Sequence, residues 1–112
     1  MELDVSLSGD TATVTVAGSR IDAAAAIGFK EAMRAAVPAG SRRVLLDLGQ
    51  VAFIDSSGLG AIVSVMKSLG DGQRMELASL QPNVDRVFRL TRMDTVFVIH
   101  DRVQDAAPGH AG

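Results

Sequence analysis

Val44-Leu45-Leu46-Asp47-Leu48 and Val51-Ala52-Phe53-Ile54 lead straight into Asp55-Ser56-Ser57-Gly58-Leu59-Gly60. The first stretch is continuously apolar apart from Asp47, rather than alternating. That pattern predicts a strand covered on both faces, as in parallel sheets flanked by helices. Beyond the serines the period changes: Leu59, Ile62, Val63, Met66 and Leu69 recur at helical spacing. A buried strand therefore delivers a carboxylate and two hydroxyls to the start of a helix. That helix is expected from Ser57 to about Leu69, with Gly70-Asp71-Gly72 as its stop.

Outward from this stretch, residues 2–8 and 11–16 alternate apolar with polar around Gly9-Asp10, the signature of a β-hairpin with one solvated face. Gly18-Ser19-Arg20-Ile21 breaks the pattern. Asp22 is placed to cap an alanine-rich helix from Ala23 to Val37, closed by Pro38 and Gly40. Gly28 inside it costs helix stability, and close packing on the sheet would explain it. A strand is expected within Gln73–Leu80. A short helix follows from Pro82 to about Arg89–Thr91, then a strand over Val96–Ile99. Asp101 is placed to cap a last helix through Ala106, and Ala107–Gly112 reads as a tail. The order ββαβαβαβα argues an α/β domain with a central mixed sheet and right-handed crossovers.

The totals exclude several functions. The chain has 112 residues, enough for one domain with its own core, and no cysteine for a disulfide or thiolate site. Its net charge of -2 comes from 11 basic and 13 acidic residues without a basic stripe. All four phenylalanines, Phe29, Phe53, Phe88 and Phe97, sit within apolar patterns. Neither phosphate neutralisation nor base stacking is indicated, so no nucleic-acid partner is expected. No run approaches the ~20 apolar residues of a membrane span, and Met1-Glu2-Leu3-Asp4 has no leader pattern. A cytoplasmic location away from membranes is the expectation.

Serine after a strand is ordinarily a helix cap. Here there are two hydroxyls where one cap would do, a carboxylate just before them, and Gly58 and Gly60 leaving the approach open. A helix start attracts anions, so a phosphoryl group on the first-turn serine could be accommodated while changing the surface charge sharply. A nucleophilic serine is disfavoured. The glycine spacing of a nucleophile elbow is missing, His110 is in the tail, and His100 follows a strand. An esterase-like reading thus ranks last. No phosphate loop or metal-ligand spacing occurs, although Asp22, Asp47 and Asp55 could meet at strand ends. Arg86, Arg89 and Arg92 recur at i, i+3, i+6 and read as a solvated helix face.

These residues resemble the signature of STAS domains, and more narrowly the stand-alone bacterial anti-sigma factor antagonists. The likeness rests on Val44–Leu48 followed by Phe53–Gly60, on Gly18…Ile21-Asp22, and on Leu80-Gln81-Pro82-Asn83-Val84…Val87-Phe88…Leu90. It covers nearly the whole chain and implies a STAS-like single domain over residues 1–106 with a flexible tail at 107–112. It implies a non-enzymatic regulator of transcription without cofactor or metal. Unphosphorylated, such a protein binds an anti-sigma factor that is also a serine kinase with an ATP-binding fold, and so frees the sigma factor. The kinase modifies the hydroxyl residue after the motif aspartate, which is Ser56 here, with Ser57 as the alternate. A phosphatase of the PP2C type restores the active form. By the same resemblance Arg20, Asp22, Asp55, Ser56, Ser57, Gly58, Leu59 and Gly60 form the partner-binding surface. One departure stands out: the family often has Gly-Glu-Leu-Asp where this chain has Gly18-Ser19-Arg20-Ile21-Asp22. The alternative is a STAS scaffold or subunit of a non-sigma signalling or transport complex without a phosphoswitch, though such domains often lack the serine pair.

Overall fold

A computed structural model describes residues 1–106, and the expected tail at 107–112 lies outside the described residues. The hairpin forms where the alternation places it, from β1 (Glu2–Ser8) and β2 (Thr11–Ala17), with Glu2 opposite Ala17 and Ser8 opposite Thr11, but β1 is largely exposed on both faces, Val5 and Leu7 included, rather than on one as expected. Its two-residue turn has Gly9 at φ +59°, the left-handed conformation that such tight turns demand and glycine supplies. Strands β4 (Arg43–Asp47), β6 (Arg74–Ala78) and β7 (Val98–His100) then add in parallel, which gives the order β1-β2-β4-β6-β7. The α/β class with a mixed sheet is as expected.

Helices α1 (Ala26–Ala36), α2 (Ser56–Ser68) and α3 (Pro82–Leu90) make the crossovers. Each step moves the chain the same way across the sheet. Right-handed connections running in one direction place their helices on one face. One core results, in which Val14, Val16, Val44, Leu46, Met75 and Leu77 from the strands meet Phe29, Met33, Ile62, Val65, Val84 and Phe88 from the helices.

β4 is covered on both faces, as expected, but helices lie on only one of them. Its second face carries Arg43, Leu45 and Asp47, in register with Thr11, Thr13 and Thr15 of β2 and with Arg74, Glu76 and Ala78 of β6. Leu45 is nonetheless fully buried there, packed with Ala78, Val103 and Ala106. The cover is a 3₁₀ turn at Val103–Ala106, which replaces the expected last helix. An ionic cluster completes this back face. Glu76 accepts from Arg43 Nε at 3.0 Å and Nη2 at 2.6 Å, from Arg74 Nε at 2.9 Å, and from His100 Nε2 at 2.8 Å. Arg43 Nη1 donates to the Ala106 carbonyl, fastening the end of the described chain to the sheet.

Other boundaries shift by a few residues. The last strand starts at Val98 because a 3₁₀ turn at Met93–Thr95 comes first, and Phe97 beside it packs edge-on against Phe88 with ring centroids 6.0 Å apart. The expected arginine face does not form as one stripe. Arg92 lies beyond the end of α3, at φ +63°, and Arg89 pairs with Asp85 at 2.8 Å. One element has no counterpart in the sequence expectations: β3 (Arg20–Ile21) and β5 (Phe53–Ile54) form a separate parallel pair.

Candidate functional site

The small β3–β5 sheet joins two loops at the pole where the parallel strands end. Ile21 and Ile54 are neighbours in register and both are buried in the core. Alternation then turns Arg20 and Phe53, the other registered pair, outward. Phe53 is 40% exposed, unlike Phe29, Phe88 and Phe97, which are buried. The sequence reading placed all four phenylalanines in apolar patterns and so missed this one as a surface group. The Arg20 guanidinium carbon sits 4.3 Å from the Phe53 ring centre, a cation–π stack. Arg20 Nε also donates to Asp22 Oδ2 at 3.2 Å.

Asp55 follows β5 with extended backbone and caps α2. Its Oδ1 accepts from the Gly58 amide at 2.9 Å, and its Oδ2 accepts from the Ala23 amide at 3.2 Å. One carboxylate thereby closes the helix start and ties it to the loop before α1. This settles the role of the serines in the local structure. Neither is the cap: α2 begins at Ser56, and Ser56 and Ser57 both stand exposed in its first turn. Among the described residues neither hydroxyl has a hydrogen-bond partner.

Gly58 has a steric reason. A Cβ there would lie 1.8 Å from the Ile21 carbonyl oxygen, so only glycine lets α2 start against β3. Gly60 is exposed, with nothing within 4 Å of where its Cβ would be, and Leu59 packs partly against the core. Asp22 caps a turn rather than the helix proper. Its Oδ1 accepts from the Ala25 amide at 3.2 Å, while α1 starts at Ala26 without a side-chain cap. The hydrogen bond from Arg20 holds the Asp22 carboxyl below its ordinary pKa. Gly28 is not a packing position, since its missing Cβ would meet only open space.

The structure thus brings Arg20, Asp22, Asp55, Ser56 and Ser57 to one pole, with Phe53 among them. Asp47 does not join Asp22 and Asp55: it faces the back of the sheet and accepts from the Gly49 amide at 2.9 Å. Among the described residues no three His, Asp or Glu side chains gather as a metal site. His100 is held to Glu76 on the back face. Surface clefts of about 360, 280 and 240 Å³ open elsewhere, the first two around the loop at Ala39 and the third between α3 and β7. At the serine pole, Arg20, Phe53, Ser56 and Ser57 are all exposed.

The family model for the STAS domain matches residues 3–106. The chain belongs to the STAS domain family. Among relatives of this STAS domain is a Bordetella bronchiseptica protein named as a candidate anti-sigma factor antagonist, BtrV. It is 33% identical over 88 residues, or 78% of this chain and 76% of the relative. A candidate anti-sigma factor antagonist of Thermotoga maritima is 37% identical over 68 residues, 60% of each chain. The crystal structure of an anti-sigma factor antagonist from Mycobacterium paratuberculosis superposes with a TM-score of 0.82 at 26% identity, covering 94% of this STAS domain and 89% of that chain.

Proposed function

We propose that this STAS domain is an anti-sigma factor antagonist switched by phosphorylation of Ser56. In the unmodified state the pole formed by Arg20, Asp22 and Asp55 to Gly60 docks on an anti-sigma factor that is also a serine kinase with an ATP-binding fold, which releases a sigma factor. Transfer of the γ-phosphoryl group to the Ser56 hydroxyl ends the docking, and a PP2C-type phosphatase restores it. The chain itself acts without catalysis, in the cytoplasm, and ATP and its metal are held by the kinase.

One observation carries this reading. Asp55 takes the capping duty, which leaves the Ser56 hydroxyl exposed and unengaged at the first residue of a helix pinned on both sides. A phosphoryl group there adds roughly -1.5 to -2 of charge at neutral pH. It lands beside the Asp55 carboxylate, in a surface that fitted a neutral hydroxyl, so a docked partner is repelled. The helix dipole and first-turn amides favour an anion, so the domain itself stays folded. An acyl-transfer reading lacks a base, because His100 is committed to Glu76 across the sheet. The names of the Bordetella and Mycobacterium relatives support an anti-sigma factor as partner.

The test is incubation of the purified chain with the ATP-binding anti-sigma factor kinases of its own organism and ATP, followed by mass spectrometry. Phosphate on Ser56 is expected. Ser56→Ala should abolish modification and keep kinase binding, and Ser56→Asp should weaken binding at least about tenfold. Modification moving wholly to Ser57 would reassign the residue. A chain left unmodified by kinases that phosphorylate another antagonist in the same assay would overturn the switch and favour a constitutive STAS scaffold.

A further inference from the structure

Arg20 stands exposed at the serine pole, stacked on Phe53 and bonded to Asp22. We infer that Arg20 and Phe53 form a pre-set anchor for a carboxylate side chain on the partner, with an apolar rim seating the phenylalanine ring. The inference rests on the docking role proposed for this pole and identifies the feature that selects the partner.

Consider which polar groups here are already spent. Both Asp55 oxygens accept backbone amides, from Gly58 and Ala23. Both Asp22 oxygens are likewise engaged, by the Ala25 amide and by Arg20 Nε. Arg20 Nη1 and Nη2 have no hydrogen-bond partner among the described residues, and the side chain is 59% exposed. The unspent hydrogen-bonding edge beside the serines is therefore the donor edge of Arg20, while the Asp55 and Asp22 carboxylates have their oxygens already occupied.

Its geometry is also fixed in advance. The Phe53 ring lies against the guanidinium group, Asp22 holds Nε, and the β3–β5 register holds both backbones. The Nη1/Nη2 edge that remains matches a planar carboxylate with two parallel hydrogen bonds. An arginine that is already ordered loses less freedom on binding than a free one. An aromatic ring and an arginine side by side, half exposed, also form the kind of pair on which interface energy concentrates. A partner with a basic group opposite would meet Arg20 unfavourably, so the same pair discriminates as well as attracts.

The experiment measures binding of the full chain to each ATP-binding anti-sigma factor kinase of its organism by titration calorimetry, with Arg20→Glu, Arg20→Gln, Phe53→Ala, Phe53→Leu and Ser56→Asp compared with the unchanged chain. Thermal melts verify folding, and Phe53→Leu serves if the alanine variant melts early. The kinase that binds the unchanged chain should bind Arg20→Glu and Arg20→Gln at least about tenfold more weakly. One Asp or Glu to Lys substitution on that kinase should restore Arg20→Glu and weaken the unchanged chain. The Arg20 Nε–H signal in ¹⁵N spectra should be protected in the free chain and lost in Phe53→Leu. If Ser56→Asp weakens binding while the Arg20 and Phe53 variants bind normally, the anchor is wrong and the docking reading stands. If no kinase binds the unchanged chain, both fall. A loss at Arg20→Glu that no acidic-to-basic kinase substitution restores overturns the carboxylate assignment.

Discussion

At the residue scale, two helical glycines that look alike in sequence have opposite meanings. Gly58 is compulsory, because a methyl group would be driven into the Ile21 carbonyl. Gly58→Ala should lose about 3 kcal/mol, the upper range for overpacking, since backbone has to give way. Gly28 is merely flexible: no atom lies within 4 Å of its absent Cβ and its φ is not positive. Gly28→Ala should gain about 0.5–1 kcal/mol by removing unfolded-chain freedom. Urea denaturation of both variants checks the pair, and a sign reversed at either position would refute the packing described. The serine motif was legible in the sequence because charge, hydroxyls and glycine occur together. The division of labour within it was not. A serine and an aspartate are equally good caps by preference, and only the distance from Asp55 Oδ1 to the Gly58 amide shows which residue does the work.

At the element scale, the back of the sheet depends on Glu76, whose side chain is only 7% exposed. Burial alone would raise its pKa. The hydrogen bonds from His100, Arg43 and Arg74 outweigh burial, so the carboxyl titrates below its ordinary 4.5. A depressed folded pKa means that stability is fully present above the unfolded value and is lost as pH falls through the folded one. Glu76→Gln should therefore cost about 3 kcal/mol near neutrality, because it strands the arginines around it. The gap from the unchanged chain should hold at pH values above 4.5 and close as the pH falls below that value. Denaturant titrations across that range measure it, and a gap independent of pH would remove Glu76 as the source. The elements themselves were readable where several residues share a period. Alternation announced the β1–β2 hairpin, and Leu59 to Leu69 announced α2. The β3–β5 pair was unreadable because two residues cannot display a period, and partner choice in a sheet is a long-range matter. One-sided helix packing was hidden for a related reason: Leu45 is as apolar as its neighbours, but a single 3₁₀ turn covers it in place of a helix.

At the scale of the whole molecule, the domain has the exposed serines at one pole and an ionic cluster on the back of its sheet. The loops that end β2, β4 and β6 lie at the serine pole, as is usual where parallel strands deliver side chains to a surface. The described end of the chain, Ala106, is held by Arg43 on the back of the sheet instead. The hairpin register sends the other end elsewhere. With Glu2 opposite Ala17, Met1 emerges beside Gly18, the residue that opens the loop leading to Arg20. A fusion partner or affinity tag joined at Met1 would hang over the serine pole, whereas the last described residue, Ala106, lies away from it. An amino-terminal fusion should slow Ser56 phosphorylation and weaken kinase capture, and a carboxy-terminal fusion of the same size should do neither. Side-by-side surface capture of the two fusions reads this directly. Which end of the chain an investigator tethers thus decides whether the proposed switch is seen at all.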